Sequence, residues 1–339
     1  MIHVGILGST GAVGQRFVQF LANHPWFSLT TLTASDRSAG KTYESVVNWR
    51  LDSPFPESVS DFVVSPTTVA AVKDCDIVFS ALPADIATML ESGIADVGVG
   101  VFSNASSHRM ETDVPLMIAE VNPGHAALVD VQKKNHDRDG FIVTNPNCST
   151  IMLATALAPL MMFPFTNINV ATLQAISGAS FDGVPAFDIY DNVIPFIRSE
   201  EEKMSWEANK ILGTFDGAKI TNAPFTVSAS CNRVPVIDGH TLNVWIDAMA
   251  TPAAVIEAFK TWQPQFSGLP TQPEKTIQYY AEEDRPQPRL DRSRGNGMTV
   301  SVGRVRDGIR FVAMGHNTIR GAAGASVLNA ELLHTKKYF

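Results

Sequence analysis

The sequence predicts an α/β protein in which a Rossmann-type, doubly wound parallel sheet is followed by an α+β domain with a mainly antiparallel sheet. Short apolar runs alternate with helical segments through residues 1–147, as they do in βα units. Longer strand candidates follow residue 148. A chain of 339 residues also exceeds the size at which one core stops growing, about 250 to 300 residues. We therefore expect two domains.

The elements of the first half form a regular series. They are predicted in the order strand, helix, strand, helix, strand, at Ile2 to Leu7, Val13 to Asn23, Leu29 to Ala34, Val69 to Val72 and Ile77 to Ala81. Parallel strands need a crossover that is usually a helix. This order therefore predicts one parallel sheet that is covered on both faces.

The second half has longer elements. Four runs predict strands, at Ile168 to Ile176, Phe225 to Asn232, Thr241 to Ala248 and Met298 to Arg304. Between them, Glu200 to Leu212 is predicted to be a helix with Ser199 as its N-cap and Gly213 after its end. The Ala-rich segment Gly321 to Leu333 is predicted to be a helix that returns to the first domain.

Composition excludes several kinds of partner. The net charge of −8 and the pI near 5.5 argue against binding to nucleic acid or an anionic membrane, which needs clustered Lys and Arg. Cys75, Cys148 and Cys231 lack the spacing of zinc ligands or of a disulfide framework, so we expect no metal and a reducing cytoplasm. The apolar run Met1 to Leu7 lacks a basic leader. The segment Ile151 to Phe165 falls short of the roughly 20 residues that span a bilayer and is predicted to be a buried helix.

A glycine-rich segment, GILGSTGAVGQRF, follows the first strand and opens the first helix. Gly8, Gly11 and Gly14 are placed where a tight turn brings backbone N–H groups close to a pyrophosphate, and the helix N-terminus adds partial positive charge. The spacing is GxxGxxG rather than GxGxxG. A glycine-rich turn that binds no ligand is therefore the alternative.

The second strand ends in TASDRSAGK, a segment whose residues would suit either NAD or NADP. Asp36 lies where a carboxylate would bind a ribose 2′-hydroxyl, as in NAD sites. Arg37, between Ser35 and Ser38, offers a cation and hydroxyls for the 2′-phosphate of NADP. We favour NADP because a guanidinium binds a phosphate through two hydrogen bonds. An exposed Asp-Arg turn is the alternative.

Cys148 is a candidate nucleophile. A thiolate attacks and a thiol does not, so a catalytic cysteine needs a pKa below its free value of about 8.5. The turn Asn145-Pro146-Asn147 and the helical run after it place the sulfur at a helix N-terminus, which favours the anion. The alternative is that Cys148 is a small buried apolar residue. Its neighbours Asn145, Asn147, Ser149 and Thr150 are all polar, which argues against a residue that only packs.

A thiol nucleophile needs a proton acceptor, and eight histidines are available. In RVPVIDGHTLNVWID, His240 follows Asp238-Gly239 and begins an alternating strand. A turn at this strand end can direct the imidazole into a cleft. His240 is therefore the candidate proton acceptor.

Six motifs occur in order along nearly the whole chain: GSTGAVGQRF, SDRSAGK, NPNCST, LQAISGA, EANKILG and RVPVIDGH. Together they resemble the aspartate-semialdehyde dehydrogenase family, particularly its archaeal and fungal branch. The resemblance implies NADPH-dependent reductive dephosphorylation of L-aspartyl 4-phosphate to L-aspartate 4-semialdehyde, with release of phosphate. This reaction belongs to the biosynthesis of lysine, threonine, methionine and isoleucine.

The resemblance also implies how the chain is divided. Residues 1–147, with the C-terminal helix 320–339, would form the NADP-binding domain. Residues 148–319 would form a catalytic and dimerisation domain related to that of glyceraldehyde-3-phosphate dehydrogenase. The expected assembly is a homodimer or a homotetramer, and its partners are the small molecules aspartyl phosphate and phosphate.

Roles for single residues follow from the same resemblance. Cys148 resembles the nucleophile that forms a thioester, His240 the general acid and base, and Gln174 the residue that orients the acyl intermediate. The substrate and phosphate ligands would be Arg109, Asn147, Glu207, Lys210 and Arg233. The cofactor ligands would be Gly8, Ser9, Thr10, Gly11, Ala12, Val13, Gly14, Ser35, Arg37, Ser38, Ser177, Gly178 and Asn317.

Within the substrate set, Arg233 is similar to the arginine that pairs with the substrate carboxylate, and Glu207 to the carboxylate that meets the amino group. Glu207 and Lys210 are three residues apart, so they share one helix face. A solvated ion pair on a helix surface is the alternative for these two. Lys203, earlier on the same helix, is a rival for the phosphate role of Lys210.

Two other functions compete. An acyl-CoA reductase on the same scaffold, such as malonyl-CoA reductase, would use the same cysteine, histidine and NADPH. A non-catalytic nucleotide-binding paralogue would need none of Cys148, Gln174, Arg233 and His240, so their joint presence argues against it.

Overall fold

The computed structural model of the protein describes residues Met1–Phe339 and contains two six-stranded sheets, each at the centre of a hydrophobic core. The first sheet is built from β1 to β6, which are Ile2–Leu7, Phe27–Ala34, Ser65–Pro66, Ile77–Ser80, Gly100–Ser103 and Phe141–Thr144. Every pairing in it is parallel. The predicted doubly wound sheet is confirmed.

Five helices accompany this sheet, α1 to α5, at Ala12–Leu21, Tyr43–Val46, Val69–Val72, Ala84–Asp96 and Leu128–His136. The strand order is β3-β2-β1-β4-β5-β6, so the direction of winding reverses between β1 and β4. Open α/β sheets bind ligands at the carboxyl ends of the strands at this reversal. The glycine-rich segment after β1 lies at that point.

The second sheet is mixed. Its strands run in the order β10-β7-β11-β14-β13-β12, and the four central strands pair antiparallel, whereas β10 and β12 add parallel at the two edges. The strands are β7 Asn167–Gln174, β10 Thr226–Arg233, β11 His240–Ile246, β12 Ile277–Tyr280, β13 Val300–Arg306 and β14 Arg310–Gly315. The prediction of a mainly antiparallel sheet is correct for its centre.

The remaining elements connect and cover this sheet. The helices α6 to α10 are Cys148–Leu157, Ala186–Ile189, Glu200–Ile211, Pro252–Thr261 and Pro288–Asp291, and β8 Thr214–Phe215 pairs with β9 Ile220–Thr221. Nine of the ten residues of α6 are buried, which confirms the predicted buried helix from Ile151 to Leu157. The prediction is wrong for residues 161–165, which follow a short 3-10 turn, lie outside the helix and are partly or fully exposed. No helix combines the length and apolar character that crossing a bilayer requires.

The start of α8 corrects one detail of the sequence prediction. The helix begins at Glu200 as expected, with three glutamates in its first turn. Ser199, however, has a left-handed backbone with φ of 58°, and its side chain caps no N–H group. Ser199 therefore occupies the N-cap position as predicted but provides no side-chain cap, whereas an N-cap serine normally has an extended backbone and a capping hydroxyl.

The end of the chain returns to the first sheet. Residues Ile319–Ala323 form a π-helical turn that leads into α11, Gly324–Thr335. Ten of the twelve residues of α11 are buried, and Val327 and Leu328 belong to the same core as Val4 and Phe79 of the first sheet. The predicted return of this helix is confirmed.

Candidate active site

A cavity of about 400 Å³ opens between the two halves of the molecule. Its wall combines side chains that are far apart in sequence, among them Ala12, Cys148, Gln174, Arg233 and Asn317. The turn after β1 supplies one side, and the ends of β7 and β10 supply the other. The cavity therefore lies where a nucleotide on the first sheet meets the polar ends of the second.

Cys148 is the first residue of α6. The side chain of Asn147 caps this helix and accepts hydrogen bonds from the backbone N–H groups of Ser149 and Thr150, at 3.0 and 3.1 Å. The π-helical turn approaches from behind, where a Cβ on Gly321 would lie 2.7 Å from the Cβ of Cys148. The polar neighbours seen in the sequence thus fix the position of the thiol.

His240, at the start of β11, lies beside Cys148. Its Nε2 is 3.3 Å from the Cys148 Sγ. Its Nδ1 accepts a hydrogen bond of 3.0 Å from the backbone N–H of Ala175. Because Nδ1 acts as an acceptor, the proton of the neutral ring is on Nε2 and points to the sulfur. The structure thus brings together the two residues that the sequence proposed as a pair.

The protonation of this pair differs from the sequence prediction. Burial, with a smaller contribution from the nearby charge of Glu200, raises the pKa of the Cys148 thiol to about 12, although Arg233 and Arg109 act in the opposite direction. Burial also holds the pKa of His240 well below its usual value, and Arg233 adds to this shift. The prediction of a lowered Cys148 pKa is therefore wrong for this structure, because desolvation outweighs the helix N-terminus.

Arg233 and Gln174 end the two neighbouring strands β10 and β7. The Arg233 Nη1 donates to the carbonyl oxygen of Ala175 at 2.8 Å, and Gln174 Nε2 donates to Thr172 Oγ1 at 3.2 Å. Both side chains are buried and line the cavity. A Cβ at Gly178 would lie 2.6 Å from the Arg233 Nη1, so a side chain there would displace the guanidinium.

Glu207, Lys210 and Arg109 are held inside the protein. The Arg109 Nη1 forms an ion pair of 2.9 Å with Glu207, whose other oxygen accepts the backbone N–H of Asn147 at 2.7 Å. The Lys210 ammonium donates to three backbone carbonyls, at 2.6 to 2.8 Å. Burial lowers the pKa of Lys210 to about 8. Arg109 and Asn147 reach the cavity wall, whereas Glu207 and Lys210 do not line it.

The cavity is also lined by charged residues that the sequence analysis either missed or named only as an alternative phosphate ligand. Glu200 and Lys203 of α8 line it, as does the exposed Arg198. The sequence offered one indication that Glu200 belongs to the site. EEEK repeats the E-x-x-K pattern of EANK seven residues earlier in the chain. Lys203 was noted only as a rival of Lys210.

The glycine-rich turn has the geometry of a nucleotide site. Gly8 has φ of +77°, and a Cβ on Gly14 would lie 2.1 Å from the Gly8 carbonyl oxygen, so both positions require glycine. Ala12 and Val13 line the cavity at the start of α1, which Gly11 precedes as its N-cap. Ser9 is buried, and its hydroxyl donates to Thr33 O at 3.0 Å. The Thr10 carbonyl accepts the Gln15 amide.

The predicted 2′-phosphate site is an exposed turn after β2. Ser35, Asp36 and Arg37 are exposed, and the Ser35 carbonyl accepts the backbone N–H of Ser38 at 2.9 Å. The Arg37 guanidinium makes no hydrogen bond or ion pair within the chain. The side chain of Lys41 reaches back to the Arg37 carbonyl. Two cations are therefore close to the carboxyl end of this strand.

Asn317 connects the two remaining predicted cofactor ligands to the histidine turn. It donates to the Ser177 hydroxyl at 2.8 Å and accepts the backbone N–H of Gly239 at 2.9 Å. Ser177, Gly178 and Asn317 all line the cavity. The predicted cofactor set is thus divided between the turn after β1, the turn after β2 and this side of the cavity.

This fold and this cleft define a class, the two-domain dehydrogenases in which a thiol and a histidine face the nucleotide side. A family model described as "Semialdehyde dehydrogenase, NAD binding domain" matches residues 3–129, and one described as "Semialdehyde dehydrogenase, dimerisation domain" matches residues 157–320. The chain belongs to the aspartate-semialdehyde dehydrogenase family, as its six motifs indicated.

Individual relatives of known name belong to the same family. The aspartate-semialdehyde dehydrogenase of Archaeoglobus fulgidus is 53% identical over 98% of this chain and 98% of that protein. That of Methanothermobacter thermautotrophicus is 52% identical over 98% of this chain and 99% of that protein. The crystal structure of aspartate semialdehyde dehydrogenase with NADP from Candida albicans superposes with a TM-score of 0.91 at 40% identity and covers both chains fully.

Proposed function

We propose that the protein uses NADPH to reduce L-aspartyl 4-phosphate to L-aspartate 4-semialdehyde and phosphate. The observation that carries this proposal is the contact of 3.3 Å between Cys148 Sγ and His240 Nε2, in a cavity that is continuous with the glycine-rich turn. A scaffold that only binds a nucleotide has no use for this pair. The family membership of the chain supports the same reaction.

In the first step Cys148 forms a thioester. Cys148 reacts as its thiolate, after its proton has passed to solvent, and the Nε2–H of His240 stabilises the anion; the sulfur attacks the acyl carbon, a C–S bond forms, the C–O bond to phosphate breaks, and phosphate leaves with the electron pair. The Asn147 cap occupies the N–H groups of Ser149 and Thr150. The backbone N–H of Cys148 donates no hydrogen bond within the chain, so it is free to stabilise the developing oxyanion.

His240 is suited to donate a proton. With Nδ1 bound to the Ala175 N–H, its Nε2–H faces the sulfur and the reacting carbonyl. It can therefore stabilise a thiolate, protonate an oxyanion and take that proton back in the reverse direction. Gln174 and Arg233, from adjacent strands, would orient the acyl group and bind the substrate carboxylate.

The residues of the first sheet fit a bound NADP. The turn at Gly8 and Gly14 allows the pyrophosphate to approach the N-terminus of α1, and Arg37 with Ser35 and Ser38 offers a site for the 2′-phosphate. NADPH, when bound, supplies the hydride that reduces the thioester. Breakage of the C–S bond then releases the semialdehyde and returns Cys148 to its thiolate form.

An acyl-CoA reductase would need the same thiol and histidine. A side-by-side assay of the purified protein tests the proposal, using aspartate semialdehyde with phosphate and NADP in one arm and malonyl-CoA with NADPH in the other. We expect turnover in the first arm only. Turnover with malonyl-CoA alone, or no turnover in either arm, would contradict the proposed function.

We also propose the domain division 1–147 with 320–339 against 148–319, assembly as a homodimer or a homotetramer, and action in the cytoplasm. The buried return of α11 supports the division. Leu173 and Trp245, which are exposed on adjacent strands of the second sheet, support an interface on its outer face. Light scattering on the purified protein would give the number of subunits.

A further inference from the structure

A buried carboxylate lies behind the loop 104–109, which follows β5 and ends at Arg109. This carboxylate belongs to Glu91 of α4, which is fully buried and does not line the cavity. It has no part in the thioester chemistry or in the nucleotide site. Carboxylates are seldom buried without partners, because their removal from water is costly. The contacts of Glu91 therefore indicate what it does.

Glu91 contacts both ends of this loop. Its Oε1 accepts a hydrogen bond of 2.9 Å from the Ser103 hydroxyl, whose oxygen accepts the backbone N–H of Ala105 at 3.1 Å. Its Oε2 lies 3.6 Å from the His108 Nε2. His108 directly precedes Arg109 in the chain. One carboxylate thus connects the start of the loop to the residue before Arg109.

The loop presents Arg109 to the cavity. The Arg109 guanidinium donates to the Asn104 carbonyl oxygen at 2.8 Å and pairs with Glu207 at 2.9 Å. Asn104, Ser106 and Arg109 line the cavity that contains Cys148. A guanidinium binds an anion through hydrogen bonds of fixed direction, so a shift of the loop would turn its donors away from a phosphate group.

The atoms that face each other between Glu91 and His108 have no other partner. The His108 Nδ1 lies 2.7 Å from an oxygen of the exposed Glu111 carboxylate, which can only accept, so Nδ1 carries a hydrogen. The Glu91 Oε2 and the His108 Nε2 are buried and make no hydrogen bond. Without a proton between them, two lone pairs would face each other away from water. The geometry therefore requires one proton, on either Glu91 or His108.

The surroundings of the pair favour retention of this proton. Burial raises the pKa of the Glu91 carboxyl, and nearby hydroxyls with the charges of His108 and Arg109 oppose this shift only in part. Burial and the charge of Arg138 lower the pKa of His108. The hydrogen bond to Glu111 and the charges of Glu111 and Glu91 outweigh them, so the pKa of His108 is raised. The pair therefore loses its proton only as the pH rises.

We propose that Glu91 and His108 are positioning residues that share one buried proton and thereby hold the loop 104–109 in the shape that presents Arg109 to phosphate. This inference rests on the proposed function and on the role of phosphate ligand that the family resemblance gives to Arg109. Neither positioning residue touches the substrate. When the proton is lost, the facing lone pairs repel each other and the loop shifts. Affinity for phosphate then decreases as the pH rises.

Glu91→Gln tests the shared proton. Its amide keeps an oxygen acceptor for Ser103 and offers a permanent N–H group to the His108 Nε2, so it imitates the pair with the proton in place. The exposed Asp85→Asn, a carboxyl-to-amide change on the same helix, is the matched control. The KM for phosphate in the oxidation of aspartate semialdehyde is measured from about pH 6.5 to about pH 9. The ratio of the wild-type KM to the variant KM at each pH cancels the ionisation of phosphate itself.

We expect this ratio for Glu91→Gln to rise by about threefold or more from the low to the high end of the pH range. The wild-type pair loses its proton in this range, whereas the amide keeps its hydrogen. The ratio for Asp85→Asn should stay constant. A constant ratio for Glu91→Gln would overturn the inference, because no titrating proton would then support the loop.

His108→Leu tests the contact itself, with the exposed His136→Leu as a control. We expect the KM for phosphate to rise by about tenfold or more, while the KM for NADP changes by less than about threefold. His108→Gln, whose amide can donate to the Glu91 Oε2, should recover part of the lost affinity. An equal rise in both KM values, or no rise in either, would overturn the inference.

The wild-type protein in the same assays separates the two levels of the argument. If it does not oxidise aspartate semialdehyde in the presence of phosphate, the proposed function fails and the inference fails with it. If it does, and the Glu91 and His108 variants behave as wild type, only the inference fails. Melting temperatures show whether each variant is folded. If His108→Leu is not folded, the pH series of Glu91→Gln decides alone.

Discussion

The two sides of the cleft are built by different means. The part of the nucleotide side that would hold the pyrophosphate is made of backbone from one short segment, since Gly8 to Gly14 supply both the tight turn and the helix N-terminus. The catalytic side is made of side chains from five separate elements, and its central contact joins residues 92 positions apart. The first side depends on local chain geometry, whereas the second depends on the packing of the whole second domain.

This difference has a consequence for mutations. At the exposed turn after β2, which carries Arg37, a side chain can change without disturbing its neighbours, so we expect graded effects there. On the catalytic side, each buried polar group holds another in place, so we expect large and coupled effects. Four predictions, in order of decreasing effect, test this comparison.

Cys148→Ala should remove turnover on the catalytic side and leave the nucleotide side intact. We expect the phosphate-dependent oxidation of aspartate semialdehyde to fall by about 10⁴-fold or more, because no thioester forms. NADPH binding, followed by fluorescence titration, should remain within about threefold of wild type. Turnover near the wild-type level would exclude Cys148 as the nucleophile.

Glu207→Ala should destabilise the protein, because it leaves Arg109 as a buried charge without a partner and removes the acceptor of the Asn147 N–H. We expect a loss of about 3 kcal/mol in the free energy of unfolding, measured in urea. Glu257→Ala, at an exposed position of α9, is the control and should be close to neutral. Equal stability of the two variants would show that the contacts of Glu207 with Arg109 and Asn147 do not stabilise the fold.

Arg37→Ala should affect only the choice of cofactor. Loss of a charge-assisted contact to the 2′-phosphate is worth about 1.5 to 3 kcal/mol, so we expect the KM for NADPH to rise by about 10- to 100-fold. The KM for NADH should not rise, since NADH lacks that phosphate. Parallel titrations with both cofactors measure the ratio, and an equal rise for both would mean that Arg37 does not bind the phosphate.

The smallest effect concerns pH. Burial lowers the pKa of His316 to about 4 and that of His240 well below its usual value, so the unfolded chain binds protons first as the pH falls. The contribution of His316 to stability is complete above about pH 6.5 and is lost between there and pH 4, at up to about 1.4 kcal/mol per pH unit, and that of His240 also decreases as the pH falls below about 6.5. Urea unfolding of wild type and His316→Asn at about pH 7 and pH 5 should show the smaller loss in the variant.

The same comparison explains what could be predicted from sequence. The parallel sheet, the glycine turn and the helix after Asn147 are local patterns, and their bounds were predicted to within a few residues. The Cys148 and His240 contact needed the family motifs, since nothing local relates a strand end to a thiol 92 residues before it.

Other features depend on tertiary structure. The raised pKa of Cys148 results from burial by distant elements, which outweighs the local helix N-terminus. The serine before three glutamates marked the start of α8 correctly, but the left-handed backbone at Ser199, which leaves the helix without a side-chain cap, has no signal in the sequence. The repeated E-x-x-K of α8 was visible, but only the structure separates the buried pair from the pair in the cavity.

The return of α11 has a consequence for how the protein is made. A ribosome delivers the first sheet long before Val327 and Leu328, which complete its core, and before Arg320, whose guanidinium pairs with the buried Glu120 at 2.7 Å. The first sheet therefore lacks part of its core until residues 319–335 have been synthesised. A chain cut before Arg320 would have neither a closed core around this sheet nor the guanidinium that pairs with the buried Glu120 carboxylate.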